Sequence, residues 1–288
     1  MKKIIVPVDF SETSAAALRF GTYLAEVMDY DLTVVHVFDP NFSLAQVVST
    51  GALLAEQERL RQELQAFVQR HAYPVLATFQ GSMATLPAIT TQVHQGIPAK
   101  VVNEMSTRAD VELMVLGGIG AGRGGTPPGL FGGVASRLAL HGKCPVILIP
   151  PSYGYPAVDT LALAFKDIED IHQMSGLVRE LLKVLRPRVN LVHVERPDDD
   201  KNLLKDDSFL ETIQGPDFPG HVFCYHALPA GSVVKRLMKY VDKRQIGMLV
   251  LGGQRRSFWQ GLFSGRSLRP IVNRCEVPLL IIPLSAPE

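Results

Sequence analysis

The chain has 288 residues, of which 47% are hydrophobic and 20% are charged, so it is long enough for one large domain or two ordinary domains with sizeable cores. Its net charge of +1 gives no electrostatic reason to expect nucleic acid or an acidic membrane as a partner. The apolar runs are only as long as strands, so none is expected to span a bilayer. Three cysteines without zinc-ribbon or redox spacing fit reduced thiols, and a cytoplasmic location is expected.

Strands and helices alternate along the first half of the chain. Residues 4–8 are a short apolar run, typical of a strand that is buried on both faces of a parallel sheet. Ser11 or Thr13 is expected to cap the helix that follows and runs to about Met28. The later predicted elements are a strand at 32–37, a helix at 53–71, a strand at 88–94, a helix at 97–108, a strand at 113–116, a helix from about Val134, and a strand at 146–149. This alternation predicts an α/β fold with a parallel sheet and helices on both faces.

The second half of the chain repeats the pattern of the first. Residues 161–165, 190–194 and 248–253 correspond to residues 4–8, 32–37 and 113–118. A third strand is predicted at 221–225 and a third helix at 232–240. A repeat near half the chain length predicts two copies of one domain, residues 1–150 and 151–288, joined by a turn-rich linker at 151–156.

Glycine is concentrated between residues 117 and 133, directly after the fourth predicted strand. Glycine lets the backbone approach a ligand closely, and the next helix presents free N–H groups to an anion, so strand, glycine loop and helix together favour a phosphate site. Ligands of open parallel sheets bind beyond the carboxyl ends of the strands, which brings Asp9 to the same crevice. The same residues also fit a flexible loop, and Asp9 fits a turn or capping acid equally well.

The loop and the start of the chain resemble the universal stress protein family. The family loop reads G-x2-G-x9-G-[ST] between the fourth strand and the fourth helix. Here Gly117 and Gly120 have the first spacing, but eleven residues separate Gly120 from Gly132, and Gly133 stands in place of Ser or Thr. The stretch from residue 7 to residue 13 is similar to the opening of the ATP-binding members, and the resemblance covers nearly the full chain.

The resemblance implies two tandem five-stranded parallel-sheet α/β sandwich domains, with ATP or a related adenine nucleotide in the first. The implied binding residues are Pro7, Val8, Asp9, Val37, Gly117, Gly120, Gly132, Gly133 and Val134. Asp9 would lie at the adenosine end of the pocket, with the Val37 backbone facing the base. No metal site and no catalytic residue are predicted, so any enzymatic activity is limited to slow ATP hydrolysis.

The second copy departs from the family at the positions that would hold phosphate. Lys166 stands where Asp9 stands, Arg255 replaces a loop glycine, and Arg266 replaces the family hydroxyl. An arginine in a phosphate site either occupies it or selects a different anion. We therefore expect a degenerate copy, while a merely solvated arginine face is the alternative.

The resemblance also implies a role in the stress response and a mode of assembly. Family members commonly pair through their last strands, so the two halves would form a pseudo-dimer within the chain, and a homodimer is a further arrangement. One alternative is an interaction scaffold that binds no nucleotide. Another is an adenylating enzyme of the wider α/β superfamily, which would need an SGGxDS or HIGH-type motif that this sequence lacks.

Histidines and cysteines outside the loop are assigned to structural roles. His221 is expected on the opposite strand face from Cys224 and His226, and two ligands on one face do not make a zinc site. His36 and His193 lie between apolar neighbours in the second strands and are expected to be core histidines bonded to backbone. Cys144 and Cys275 precede the last strands and are expected to be buried thiols.

Overall fold

The computed structural model describes residues 2–39, 50–79, 86–117, 133–150, 153–154, 158–165, 168–195, 223–254 and 276–284. The chain divides into two compact units, a first unit of residues 1–156 and a second unit of residues 157–288. Within the described residues, no helix combines the length and the apolar character needed to cross a bilayer.

The first unit is a parallel sheet with helices packed on it. Its strands are β1 (Lys3–Pro7), β2 (Asp31–Phe38), β3 (Ile89–Gln95), β4 (Val111–Gly117) and β5 (Val146–Ile149). Its helices are α1 (Glu12–Met28), α2 (Thr50–His71), α3 (Tyr73–Ala77), α4 (Pro98–Met105) and α5 (Gly133–His141). The strand order is β3-β2-β1-β4-β5, and each neighbouring pair is parallel. The chain leaves β1 toward β2 on one side and returns to β4 on the other, which makes the carboxyl ends of β1 and β4 the switch point of the sheet.

The second unit has the same strand order as the first. Its elements are β6 (Thr160–Phe165), α6 (Ile168–Leu185), β7 (Arg188–Val194), β8 (Phe223–Leu228), α7 (Val233–Arg244), β9 (Met248–Gln254) and β10 (Leu279–Leu284). The order is β8-β7-β6-β9-β10, again with parallel pairs throughout. The predicted α/β fold with parallel sheets is confirmed.

The central strands of each sheet are buried on both faces, as their unbroken apolar runs indicate. In β1, Ile4, Ile5 and Val6 are at most 2% exposed. The α1 helix covers this strand with small residues, and Gly21 faces Val6 so closely that a Cβ at position 21 would lie 2.6 Å from Val6 Cγ2. Small side chains on α1 therefore set a short distance between helix and sheet.

Several predicted boundaries were wrong by a few residues. The third strand of the second unit ends at Leu228 rather than residue 225, because it pairs with β7 as far as Val194 opposite Leu228, while the predicted start at 221 lies outside the described residues. The helix α4 ends at Met105 rather than near residue 108. The next residue, Ser106, donates its hydroxyl to the carbonyl of Asn103. The short helix α3 was not predicted.

Candidate functional site

The predicted site lies where β1 and β4 end and α1 begins. Asp9 follows β1 with an exposed side chain, and its Oδ1 accepts a hydrogen bond from the Ser11 N–H at 3.1 Å and another from the Ser11 hydroxyl. This is the arrangement of an Asx turn, in which a carboxylate holds the backbone two residues ahead. Asp9 therefore has the turn role, and any ligand contact must be compatible with it.

Ser11 connects that turn to α1. Its backbone is extended (φ −77°, ψ 162°), and its Oγ accepts from the Ser14 N–H at 3.2 Å, so Ser11 is the N-cap. The hydroxyl of Thr13 lies 2.9 Å from Ser11 Oγ. The Ser14 hydroxyl donates to the Ser11 carbonyl at 2.9 Å and lies 3.4 Å from the Asp9 nitrogen. This network fixes the first turn of α1 against the end of β1.

Phe10 lies between these polar residues in a left-handed conformation, with φ 63°. A bulky side chain at positive φ is rare and strained. Its ring lies 4.4 Å from the ring of His36 and meets Phe67 edge-on at 5.5 Å. These contacts with β2 and α2 compensate for the backbone strain at Phe10.

His36 links β2 to the end of β1. Because Val8 offers a carbonyl, the ring Nδ1 donates to it, at 2.8 Å. Burial lowers the pKa of His36, against the opposing effects of the Val8 carbonyl, Glu63 and Asp9. The imidazole is therefore neutral, and the predicted backbone-bonded histidine is confirmed at this position. His193, its counterpart in β7, is only 5% exposed and lies 5.7 Å from Phe165.

The remaining predicted residues of the β1 side lie close to this corner. Pro7 pairs with Val35 of β2, and the buried Val8 donates its N–H to the Val35 carbonyl at 2.8 Å. Val37 is half-buried and pairs with His94 of β3. The structure thus brings Pro7, Val8 and Val37 to the carboxyl ends of adjacent strands.

Gly117 ends β4 directly against α1. A Cβ at this position would lie 2.6 Å from the backbone carbon and oxygen of Thr13 and 2.8 Å from the nitrogen of Ser14. Only glycine fits there, because backbone atoms cannot rotate away. This packing reason was missed in the sequence, where the glycine pattern pointed to a phosphate site or to a flexible loop.

The end of the loop is described only from Gly133, where α5 begins, and the next residue, Val134, is half-buried. Gly120 and Gly132 lie outside the described residues, as do Lys166, Arg255, Arg266, His221 and Cys275. In the second unit the counterpart of Gly117 is Gly252, where a Cβ would overlap the side chain of Met174, with Cγ and Cε both at 2.9 Å. The space beside this glycine is therefore filled by backbone atoms in the first unit and by side-chain atoms in the second.

Two of the three cysteines are described. Cys144 is 5% exposed, and burial raises its pKa to about 12, so the predicted buried thiol is confirmed. Cys224 is exposed on β8. In the part of the chain that the structure describes, no three or more histidines, cysteines and carboxylates are grouped so that they could hold a metal ion.

Comparison with known proteins places the chain in a family. The model of the universal stress protein family matches residues 1–150. Universal stress protein G of Salmonella typhimurium is 30% identical over 151 residues, covering 51% of this chain and 98% of that protein. A universal stress protein of Mycobacterium tuberculosis is 33% identical over 150 residues, covering 51% of this chain and 46% of that protein.

A solved structure shares the fold over nearly the whole chain. The universal stress protein of Archaeoglobus fulgidus matches with a TM-score of 0.73 at 16% identity, covering 98% of both chains. At that identity the match is evidence for the fold alone. The family model, which matches more than half of the chain, shows that the chain belongs to the universal stress protein family.

Proposed function

We propose that the chain is a tandem universal stress protein, with domains at 1–150 and 151–288, that binds ATP or a related adenine nucleotide in its first domain. The observation that carries the proposal is the switch point of the first sheet. There the carboxyl ends of β1 and β4 adjoin, and α5 begins at Gly133 directly after the glycine-rich loop. A switch point next to a helix N-terminus suits a phosphate group.

The nucleotide would lie across the ends of β2, β1 and β4. Its base would face the backbone of Val37, its adenosine end would lie near Asp9, and its phosphates would contact the loop from Gly117 to Gly133. Asp9 would bind the nucleotide through Oδ2, because Oδ1 already accepts hydrogen bonds from Ser11 in the Asx turn. On the phosphates, backbone N–H groups would contribute most, because Gly133 has no hydroxyl.

The second domain would have lost this function. Lys166, Arg255 and Arg266 change its charge at the corresponding positions, and Met174 packs beside Gly252. The protein would act as a stress-response protein in the cytoplasm, with no catalysis beyond slow ATP hydrolysis. Its two domains would pair through their last strands as a pseudo-dimer, as the family does between chains.

The Gly133→Ser variant tests this function. A hydroxyl at the helix start would supply a charge-assisted hydrogen bond, worth about 1.5–3 kcal/mol, so ATP should bind about tenfold more tightly or better. Isothermal titration of the full chain with ATP measures the change. Absence of ATP binding in both the parent and Gly133→Ser would overturn the proposal in favour of a scaffold that binds no nucleotide.

A further inference from the structure

Cys224 lies in a side-chain cluster that the nucleotide site does not use. It is exposed near the start of β8, which stands last in the strand order of the second unit and pairs with β7. Side chains two positions apart share a strand face, so Cys224 and His226 point to the same side. The ring of His226 lies 5.3 Å from the ring of Tyr240, so this is the side covered by α7.

Tyr240 supplies the second observation. It is only 7% exposed, and its hydroxyl has no hydrogen-bond partner among the described residues. A buried hydroxyl without a partner is costly and uncommon, and it is a donor placed for an acceptor. Burial raises the pKa of Tyr240, so the hydroxyl keeps its proton, and Cys224 lies near enough to raise that pKa further. The unpaired donor thus lies on the side of β8 to which the exposed thiol points.

Arg244 adds a positive charge to the cluster. It lowers the pKa of Tyr240, against the effect of burial, and it adds to the effect of burial in lowering the pKa of His226. The exposed thiol, the cation and the unpaired phenol therefore occur together.

We propose that Cys224 is a peroxide-sensitive thiol, and that its sulfenic acid is held by a hydrogen bond from Tyr240. The Cys224 sulfur attacks one oxygen of hydrogen peroxide and forms an S–O bond while the O–O bond breaks. The sulfur loses two electrons, which reduce the peroxide, and the leaving oxygen takes up the thiol proton and departs as water. The oxygen that stays on sulfur is the acceptor that the Tyr240 hydroxyl lacks.

Cys144 provides the matched control within the same chain. It is 5% exposed, and burial raises its pKa to about 12, so it has neither access nor thiolate character. The experiment uses the full chain with Cys275→Ser, so that two cysteines are compared. It is treated with hydrogen peroxide and dimedone, and the adducts are located by peptide mass spectrometry. We expect the adduct on Cys224, and equal or greater labelling of Cys144 would overturn the proposal.

Tyr240→Phe tests the hydrogen bond separately. It removes the hydroxyl and keeps the ring against His226, so alkylation of Cys224 by iodoacetamide should proceed as in the parent, which also reports that β8 and α7 keep their packing. The sulfenic acid should be lost severalfold faster after peroxide is removed. An unchanged lifetime with unchanged alkylation would show that Tyr240 does not hold the oxidised thiol.

Discussion

The two units share a strand order but fill the corner between their first helix and fourth strand with different atoms. In the first unit, the space beside Gly117 is taken by the backbone of Thr13 and Ser14. In the second, the space beside Gly252 is taken by the side chain of Met174. Glycine is therefore required at position 117, where the neighbouring backbone atoms cannot move aside. At position 252 a larger residue is better tolerated, because the neighbouring side chain is flexible.

The helices that follow the first strands explain this difference. Counted from the aligned strands β1 and β6, Met174 and Val178 of α6 stand where Ala17 and Gly21 stand in α1. Ala17, Met174 and Val178 are each at most 1% exposed, so all three side chains are fully packed. Small residues bring the backbone of α1 to the sheet beside the proposed nucleotide crevice, whereas larger side chains fill that layer in the second unit. Side-chain volume in one helix has thus changed the corner without changing the topology.

Gly117→Ala should have the largest effect on stability, because its Cβ would meet backbone atoms at 2.6 Å that cannot move without shifting α1. We expect the free energy of unfolding of the first unit to fall by about 3 kcal/mol, as for severe overpacking. Gly252→Ala is the matched control, and it should cost about 1 kcal/mol because the flexible Met174 side chain can rearrange. Urea unfolding of the full chain compares them, and a larger loss for Gly252→Ala would refute the rigid-corner explanation.

Gly21→Ala should have a smaller effect, since its clash is with the Cγ2 of Val6 and not with backbone. We expect the free energy of unfolding to fall by about 1–2 kcal/mol, a net value that includes the gain of about 1 kcal/mol in helix propensity. The loss should shrink in a Val6→Ala background, as a double-mutant cycle measures.

The control for this helix substitution is Gly176 in α6, where an added Cβ would meet no atom within 4 Å. Gly176→Ala should therefore stabilise the second unit by about 0.5–1 kcal/mol. A loss at both glycines would mean that packing against the sheet is not what distinguishes them.

Phe10 tests the strain at the end of β1. Both Phe10→Ala and Phe10→Gly lose the contacts with His36 and Phe67, but only glycine relieves the φ of 63°. Phe10→Gly should therefore be more stable than Phe10→Ala by about 1 kcal/mol. Thermal unfolding of the two variants decides this, and equal melting temperatures would argue against strain at this position.

The smallest predicted effect is a pH dependence of the first unit. Burial lowers the pKa of His36, so the unfolded chain takes up this proton at a higher pH than the folded chain does. The stability that neutral His36 confers is complete above its ordinary pKa of about 6.5 and is lost as the pH falls below it. His36→Gln should flatten the fall in unfolding free energy between pH 7.5 and 5.5. An equally steep fall in that variant would assign the dependence to other groups.

Local patterns were enough to predict the strands and most helices, but not the contacts between distant residues at the site. The unbroken apolar runs identified β1 and β4 as buried parallel strands. Both Ser11 and Thr13 are good capping residues by type. Ser11 is the N-cap because of the geometry of the Asp9 turn, which residue type alone does not predict. The positive φ of Phe10 could not be predicted from local sequence either, because the residues that compensate for it, His36 and Phe67, are distant in the chain.

Gly117 shows why a motif can be recognised for an incomplete reason. The glycine spacing pointed to phosphate, yet the described contacts of Gly117 are with the first turn of α1. Such backbone contact requires the short distance between helix and sheet that Ala17 and Gly21 create. The loop residues Gly120 and Gly132 lie outside the described part of the chain, so their phosphate role stays a prediction.

The most direct test is the stoichiometry of ATP binding to the full chain, measured by isothermal titration calorimetry with one substitution in each unit. Gly132→Val would place a Cβ against the proposed phosphates of the first unit. Gly265 precedes Arg266 as Gly132 precedes Gly133, so Gly265→Val is the aligned substitution in the second unit. We predict one ATP per chain, abolished by Gly132→Val and unchanged by Gly265→Val. Two sites per chain, or binding that survives Gly132→Val and is lost in Gly265→Val, would contradict a nucleotide site confined to the first unit.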